Sequence, residues 1–275
     1  MVVFCCLHKG GFFIFYNQKF IKKGKEKMSE FNYEKVAKEI GWSFDKVNYT
    51  CVQDVDFNYY EQVKNHIKNK TVMLDIGCGS GEKACKFFSE ASKIFMIDTE
   101  IEMLKKAKEN VSKLCESVQQ KFVLSKASGL KKLKFEDESL DLVVSRHCGA
   151  NMKEVFRVLK KGGFFISQDI DKEDCWDLKQ IFNRGQCFDK KISVKEKTLK
   201  QILKLGFTKI EVLNFTQTEY YKTKEDLIFL LKRTPILNGF NEIEDEKLLN
   251  LYIQKFSTNN GIQLNRKLYA LKLTK

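Results

Sequence analysis

The sequence predicts an α/β protein with a doubly wound, seven-stranded and mostly parallel sheet that carries helices on both faces. The first observation is a nearly unbroken apolar run from Thr71 to Ile76, typical of a strand buried on both faces of a parallel sheet. Further apolar runs follow it, separated by amphipathic helical patterns. The third observation is that glycines stand at alternate positions directly after the first run. Together these features predict a ligand site at the carboxyl ends of the strands.

The predicted elements alternate along the chain from residue 71. Strands are predicted at 71–76, 93–98, 121–128, 140–147, 164–171, 207–215 and 267–273. Helices are predicted at 80–91, after residue 99, at 152–161 and at 193–205, and Gly162 and Gly163 are expected to end the third of these. Before the last strand, residues 222–258 contain two helical patterns separated by a turn around Pro235 and Gly239. We therefore predict one domain over 71–275 with a helical insertion at 222–258.

The residues before this domain divide at Met28. Residues 1–27 place an apolar patch before a run of lysines, the reverse of the order in a secretory signal, and lack a small-residue cleavage site. We predict that Met28 is the native start and that 1–27 form a non-native leader or a disordered segment. Residues 28–70 are expected to form a helical lid that begins with an amphipathic helix from Tyr33 to Ile40. Several aromatic residues there either cover the ligand cleft or pack in the core: Trp42, Phe44, Tyr49, Phe57, Tyr59 and Tyr60.

Length and composition favour a globular protein. The chain has 275 residues, of which 43% are hydrophobic and 12% aromatic, enough for one large α/β domain with additions. No apolar run approaches the roughly 20 residues that a membrane-spanning helix requires. The nine cysteines form no C-x-x-C pair of the kind that binds zinc or forms a dithiol site. We therefore predict a cytoplasmic protein with reduced cysteines and no membrane partner.

The net charge of +13 raises the question of an anionic partner such as RNA. Lysine, however, is abundant throughout the chain while Pro235 is the only proline. This bias is expected of an AT-rich genome rather than of a selected basic surface. A nucleic-acid partner is therefore not favoured.

The glycine turn contains five short residues: Gly77, Cys78, Gly79, Ser80 and Gly81. Missing side chains let such a turn adopt positive φ and let its backbone approach a ligand closely. A dinucleotide fingerprint would need its third glycine at the position of Glu82. From the glycines alone, the segment is either a ligand-binding turn or a plain connection between strand and helix.

The stretch TVMLDIGCGSGE, with Asp75 just before the turn, resembles the first motif of class I S-adenosylmethionine-dependent methyltransferases. The segments FEDESLDLVVS and EVFRVLKKGGFFIS resemble the small-molecule and quinone-type members of that family. The resemblance implies a reversed last strand and S-adenosylmethionine as the cofactor. It also implies that Asp75 and all five residues of the glycine turn bind this cofactor.

Other cofactor contacts are implied by the same resemblance. Asp98, at the tip of the second strand, is placed to accept hydrogen bonds from both ribose hydroxyls. Thr99 follows it, and Met103 with Leu104 either faces the adenosine or belongs to the helix core. The family often has an acid after the third strand that binds the adenine amino group, whereas this chain has none. Lys126, Ser128 or Gly129 falls at that place, so adenine recognition is expected from backbone amides or Ser128, and Ser145 is a further expected contact.

Two kinds of catalytic group can be considered at the ends of the fourth and fifth strands. His147 is the best-placed base for taking a proton from a hydroxyl or amine acceptor, or is a hydrogen-bonded structural residue. Arg146 beside it could instead hold an anionic substrate. Three acids lie at or after the end of the fifth strand, where metal-dependent O-methyltransferases place ligands: Asp169, Asp171 and Asp174. Because Ser145, Arg146 and His147 occupy the place of the remaining ligand, we predict no metal.

Three functions fit these features: a methyltransferase for a small-molecule acceptor, a methyltransferase for RNA or protein, and a non-catalytic protein that binds S-adenosylmethionine. A single proline cannot form the proline-containing motifs of amino-directed or cytosine-directed nucleic-acid methyltransferases. We favour the small-molecule enzyme, in which methyl transfer proceeds by in-line displacement.

Overall fold

The structure is a computed structural model that describes residue 31 and residues 33–39 and 47–275. The predictions for residues 1–27, for Met28 as the start and for Trp42 and Phe44 lie outside the described residues. The strands are β1 (Tyr49–Gln53), β2 (Val72–Ile76), β3 (Lys93–Asp98), β4 (Phe122–Lys126), β5 (Leu140–Arg146), β6 (Leu159–Ile170), β7 (Lys209–Tyr221), β8 (Ser257–Thr258) and β9 (Gly261–Thr274). The helices are α1 (Tyr33–Glu39), α2 (Tyr59–Lys64), α3 (Glu82–Phe87), α4 (Ile101–Val111), α5 (Glu116–Gln119), α6 (Met152–Val158), α7 (Trp176–Phe182), α8 (Val194–Ile202), α9 (Lys224–Arg233) and α10 (Glu246–Phe256).

The strands form one sheet in the order β1-β7-β9-β6-β5-β2-β3-β4, with β8 paired to β9. The β2, β3, β4, β5 and β6 strands pair in parallel, and β9 runs antiparallel to both β6 and β7. The predicted doubly wound fold with a reversed last strand is therefore confirmed. The strand order reverses at β2, because the chain continues from β2 to β3 and β4 on one side and then returns to β5 on the other side. Ligands of open α/β sheets bind at such a point.

Helices cover both faces of the sheet because successive side chains of each buried strand point to opposite faces. On β2, Leu74 and Ile76 pack with Val155 of α6 and Ile202 of α8. Met73 packs on the other face with residues of α2, α3 and α4, among them Val63, Ala84 and Ala107. The apolar run of β2 is thus buried on both faces, as its sequence predicts.

The predicted helical insertion is present between β7 and β9 as α9 and α10. A capping box begins α9, in which the side chain of Thr223 bonds the backbone of Asp226 and the side chain of Asp226 bonds back. The apolar faces of α7, α9 and α10 pack together with the ends of β7 and β9 around Leu227, Leu249 and Tyr252. The prediction placed β7 and β9 at 207–215 and 267–273, but both strands are longer because they pair with each other as far as Tyr221 and Ile262.

Two predicted elements are corrected. The segment 28–70 is not helical throughout, since β1 lies between α1 and α2 and pairs with the outer edge of β7. The side chains of β1 are mostly exposed, so β1 lacks the alternation of apolar and polar residues that would have indicated a strand. The helix predicted at 152–161 ends at Val158, and Gly162 and Gly163 lie within β6 instead of ending the helix. A Cβ atom on Gly163 would lie 3.0 Å from the carbonyl oxygen of Asp141, so this glycine permits close strand packing.

Within the described part of the chain, no helix is long and apolar enough to cross a membrane. The described cysteines are all free thiols: Cys51, Cys78, Cys85, Cys115, Cys148, Cys175 and Cys187.

Candidate functional site

The glycine turn connects β2 to α3 at the carboxyl edge of the sheet. Gly77, Gly79 and Gly81 have φ values of 74°, 55° and 66°, a region that side-chain-bearing residues rarely adopt. The N–H groups of Gly77 and Cys78 both donate to the carbonyl oxygen of Ile97, at 2.8 and 3.1 Å. These bonds hold the turn against the end of β3.

Two of the glycines allow neighbouring elements to approach the turn. A Cβ atom on Gly77 would lie 2.6 Å from both Cβ and Sγ of Cys148, in the loop after β5. A Cβ atom on Gly81 would lie 3.1 Å from Cβ of Ala107 on α4. The turn is therefore packed tightly between the β5 loop and α4, and larger residues would push these elements apart.

Asp98 ties the end of β3 to the glycine turn. Its Oδ2 accepts a hydrogen bond from the N–H of Gly79, and its Oδ1 accepts one from the N–H of Glu100, each at 2.9 Å. The second bond closes a turn directly before α4, whose N-cap residue is Glu100. Each carboxylate oxygen keeps a lone pair that a ligand hydroxyl can use, because a carboxylate offers about four acceptor sites.

Asp75 lies half-buried at the end of β2 without a hydrogen-bond or ion-pair partner among the described residues. Loss of hydration, followed by the negative charge of Asp98, raises its pKa to about 7. Asp169, at the end of β6, also has a raised pKa of about 6, caused mainly by loss of hydration. Burial and the charges of Asp98, Asp169 and Asp75 raise the pKa of the Cys148 thiol to about 11.

Three carboxylates therefore act on Cys148 at the carboxyl edge of the sheet, and we call this group of Asp75, Asp98 and Asp169 the acidic floor. Such a group favours a positively charged ligand, because an opposite charge within a few ångströms stabilises the ionised carboxylate. The arrangement suits a ligand that contributes a cation near Asp75 and hydroxyl donors near Asp98.

His147 stands directly after β5 with a φ of 54°, and its N–H donates to the carbonyl oxygen of Gln168 at 2.9 Å. His147 is exposed. Loss of hydration, together with the charges of Arg146 and Arg266, lowers the pKa of His147 well below its usual range. Its ring nitrogens have no hydrogen-bond partner among the described residues, so at neutral pH the neutral ring is free to accept a proton.

The aromatic residues Tyr59 and Tyr60, which precede the domain, differ in burial. Tyr59 is buried, and the charge of the nearby Asp75 contributes to its raised pKa. Tyr60 stacks on Phe87 with 4.8 Å between ring centroids, and the guanidinium of Arg146 lies 5.5 Å from the Tyr60 ring. Tyr59 thus packs in the core, as one of the two alternatives predicts, whereas lining of the ligand cleft stays a prediction for Tyr60.

Not every predicted contact is accessible from the cleft. Met103 is fully buried, and Ser145 is buried with its Oγ donating to the carbonyl oxygen of Cys148 at 2.6 Å. The Oγ of Ser128 accepts a hydrogen bond from the N–H of Leu130, and the hydroxyl of Thr99 donates to Glu100. Met103 and Ser145 support the cleft from behind, and they would contact a ligand only if their neighbours moved.

Sequence reasoning missed two exposed apolar residues at this edge. Leu130 follows β4 and is 65% exposed, and Ile101 in the first turn of α4 is 47% exposed. Apolar residues in a sequence are normally read as core, so nothing in the pattern marked these two as surface residues. Leu130 lies two residues after Ser128, where the usual acid is missing. Lys126 on β4 lies opposite Asp98 on β3 in the strand register, and it is exposed.

The acids after β6 are occupied by cations of the chain. Asp171 pairs with Lys195, and Asp174 with Arg266. The residues that the structure describes contain no group of three or more His, Cys, Asp or Glu side chains that could hold a metal ion.

Known proteins resemble this chain over its central part. The family of methyltransferase domains matches residues 67–227. An uncharacterized protein from Methanocaldococcus jannaschii is 30% identical over 174 residues, which are 60% of this chain and 61% of that protein. A demethylmenaquinone methyltransferase from Leptospira interrogans is 26% identical over 155 residues, which are 51% of this chain and 59% of that protein. The alignments thus span less than two thirds of the length of these curated relatives.

Among solved structures, the YcgJ protein from Bacillus subtilis superposes with a TM-score of 0.54 at 16% identity. The superposition covers 79% of this chain and 97% of that chain. The two proteins therefore share a fold.

Proposed function

Because the chain belongs to the class I S-adenosylmethionine-dependent methyltransferases, enzymes that transfer methyl groups, we propose that it methylates a small-molecule acceptor with S-adenosylmethionine as the donor. The observation that carries the proposal is the pairing of a glycine turn with Asp98 beside the unpartnered carboxylate of Asp75. S-adenosylmethionine brings a sulfonium and an ammonium group to this acidic cleft, and its ribose brings two hydroxyl donors.

The residues proposed to hold the cofactor are those predicted from the sequence. Asp98 would accept the ribose hydroxyls, and Asp75 would face the positive charges. Leu130 and Ile101 would flank the adenine. The residues predicted from the sequence are Asp75, Gly77, Cys78, Gly79, Ser80, Gly81, Asp98, Thr99, Met103, Ser128 and Ser145, of which Met103 and Ser145 are buried and would act from behind the site.

When bound, the cofactor supplies an electrophilic methyl carbon on a positively charged sulfur. His147 would take the proton of a hydroxyl or amine acceptor, because its neutral ring is unpartnered at the end of β5. Tyr60 would position the acceptor and exclude water from the reacting atoms. No described residue needs to form a covalent bond with the substrate.

A small acceptor is favoured over RNA by the charges at the cleft. Three acidic side chains act on Cys148 through their charges, and Tyr60 is aromatic, whereas an RNA site would show a stripe of lysines. Of the nearby lysines, Lys195 is already paired with Asp171. The curated relative from Leptospira interrogans is named for demethylmenaquinone, which is neither an RNA nor a protein, and this also supports the choice.

Calorimetry with S-adenosylmethionine and its demethylated product tests the cofactor assignment. Asp98→Ala should weaken binding of both by about 10- to 100-fold, since two charge-assisted hydrogen bonds are lost. Asp141→Ala is the matched control, because Asp141 also accepts a backbone N–H, that of Val72 at 2.8 Å, but lies at the opposite end of β2. A loss of thermal stability in Asp98→Ala with unchanged cofactor affinity would leave Asp98 with only a structural role, that of binding the N–H groups of Gly79 and Glu100.

The raised pKa of Asp75 predicts that cofactor binding depends on pH. A cationic ligand binds the ionised carboxylate better, so affinity should rise by up to about tenfold per pH unit as the pH increases toward about 7. In Asp75→Asn this dependence should disappear and the affinity at neutral pH should be lower. Titration calorimetry of both proteins across this range, in buffers of different ionisation enthalpy, measures the proton released. An unchanged pH profile in the variant would contradict the assignment of Asp75 to the cation.

The raised pKa of Asp75 also predicts that the stability of the fold changes with pH, and stability should fall with rising pH where the cofactor affinity rises. The pKa of Asp75 is higher in the folded chain than in the unfolded chain, so the folded state binds more protons between about pH 4 and 7 and becomes less stable as the pH rises through this window. Without cofactor, Asp75→Asn should therefore melt about 2–4 °C higher than the wild type at about pH 8. At about pH 4 the two melting temperatures should converge, and a variant that melts lower at alkaline pH would refute the interpretation.

A further inference from the structure

The arginines of this chain are few, because lysine supplies nearly all of its cations. They are Arg146, Arg157, Arg184, Arg233 and Arg266. An arginine in such a chain is informative, since its planar guanidinium binds oxyanions through two parallel hydrogen bonds in a way that lysine cannot reproduce. The partners of each arginine therefore indicate what its guanidinium is used for.

Three of these arginines hold carboxylates within the protein. Arg157 binds Asp137 and Glu154, each at 2.7 Å, and also two backbone carbonyls. Arg184 binds Asp245 at 2.6 Å.

Arg266 binds Asp174 through two nitrogens, at 2.8 and 3.2 Å, and also binds Glu219. Each of these three guanidinium groups is neutralised and has a structural role.

Arg146 differs because no carboxylate of the described residues lies within ion-pair distance of it. It is the last residue of β5 and is exposed at the cleft. Its Nη1 donates to the hydroxyl of Tyr60 at 3.5 Å, and its guanidinium lies 5.5 Å from the Tyr60 ring, which itself stacks on Phe87. The aromatic contacts position the guanidinium, but they leave its charge and most of its donors unused.

The location of Arg146 separates it from the acidic floor. The carboxylates lie at the ends of β2, β3 and β6, whereas Arg146 turns toward α2, which precedes the part of the chain matched by the methyltransferase domain family. Features outside a shared domain usually determine the substrate, while the shared domain binds the common cofactor. Next to Arg146 stands His147, the proposed base.

We propose that Arg146 binds an oxyanion of the methyl acceptor, so that the acceptor is a small molecule carrying a carboxylate or phosphate group. This inference rests on the proposed function. The guanidinium would hold the anionic end of the acceptor over Tyr60 and bring the atom to be methylated beside His147. An acceptor without an anionic group would leave this cation without an oxyanion partner.

Anion binding to the protein saturated with S-adenosylhomocysteine tests the proposal, because the cofactor's own carboxylate is then already bound. Calorimetry should show saturable binding of inorganic phosphate or of succinate, and the tighter of the two identifies the kind of oxyanion. Arg146→Gln should weaken this binding by about 10- to 100-fold, and Arg146→Lys should restore part of it. Lys64→Gln, which removes an exposed cation from α2, is the charge-matched control and should bind like the wild type.

Two results would overturn the inference. One is that neither anion binds the loaded wild-type protein above the level of the Arg146→Gln variant. The other is that Arg146→Gln mainly weakens the binding of S-adenosylhomocysteine, which would assign Arg146 to the carboxylate of the cofactor. If S-adenosylhomocysteine fails to bind the wild-type protein, the proposed function itself is wrong, so the two failures can be told apart. With a panel of labelled-methyl acceptors, Arg146→Gln should raise KM for anionic acceptors while kcat changes little.

Discussion

Gly79→Val is expected to abolish measurable binding of S-adenosylmethionine while the protein stays folded. Gly79 has a φ of 55°, where a β-branched residue is strained, and its N–H is the donor that fixes Oδ2 of Asp98. The two methyl groups of valine would also occupy the space through which the turn approaches the ligand. Titration calorimetry, with thermal melting as a check on folding, measures both consequences.

The control for this variant is Gly162→Val. Gly162 has a φ of 77°, so valine there is strained in a similar way, but nothing lies within 4 Å of the position that a Cβ atom would take. Gly162→Val should therefore lose a comparable amount of thermal stability and bind the cofactor like the wild type. Equal cofactor affinity in both variants would mean that the glycine turn does not approach the ligand.

His147→Gln is expected to lower kcat by about 100-fold or more if the acceptor must lose a proton, which is the usual contribution of a positioned base. Cofactor affinity should hardly change, because the ring of His147 bonds none of the residues that hold the turn. In the wild type, kcat at saturating cofactor should be lost as the pH falls through the pKa of His147. Since that pKa is lowered, the acid limb should lie below the ordinary histidine value of about 6.5.

His66→Gln serves as the comparison, because His66 is bonded through Nδ1 to the carbonyl oxygen of Gln62 and packs edge-on against Phe164. It should cost some stability and leave the pH profile of kcat unchanged. A His147→Gln variant that keeps the wild-type rate and pH profile would show that the acceptor is methylated without this base.

The sequence was sufficient for the parallel core because its signals are local. The β2 strand reads as an apolar run since both of its faces are buried, and glycines at alternate positions directly reflect three left-handed residues. Asp98 could be predicted at a strand tip because the spacing from the turn places it there. The insertion between β7 and β9 was predictable from the helical periodicity on either side of Pro235.

The features that escaped prediction depend on contacts between distant residues. The β1 strand is stabilised by pairing with β7 and by the stacking of Tyr49 on Tyr221, neither of which its own sequence reveals. Gly162 and Gly163 match a helix end and a strand bend equally well, and the pairing of β6 with β5 decides between them. The packing of Cys148 against Gly77 is likewise visible only after β2 and β5 are placed side by side.

The central claim is that the chain transfers a methyl group from S-adenosylmethionine to a small molecule. The most direct measurement incubates the protein with methyl-labelled S-adenosylmethionine and a cell extract and then follows where the label goes. We expect label in a dialysable product that resists nuclease and protease, formed by the wild type and strongly reduced with Gly79→Val. Label that stays with RNA or protein, or no transfer by a protein that binds the cofactor, would contradict the claim.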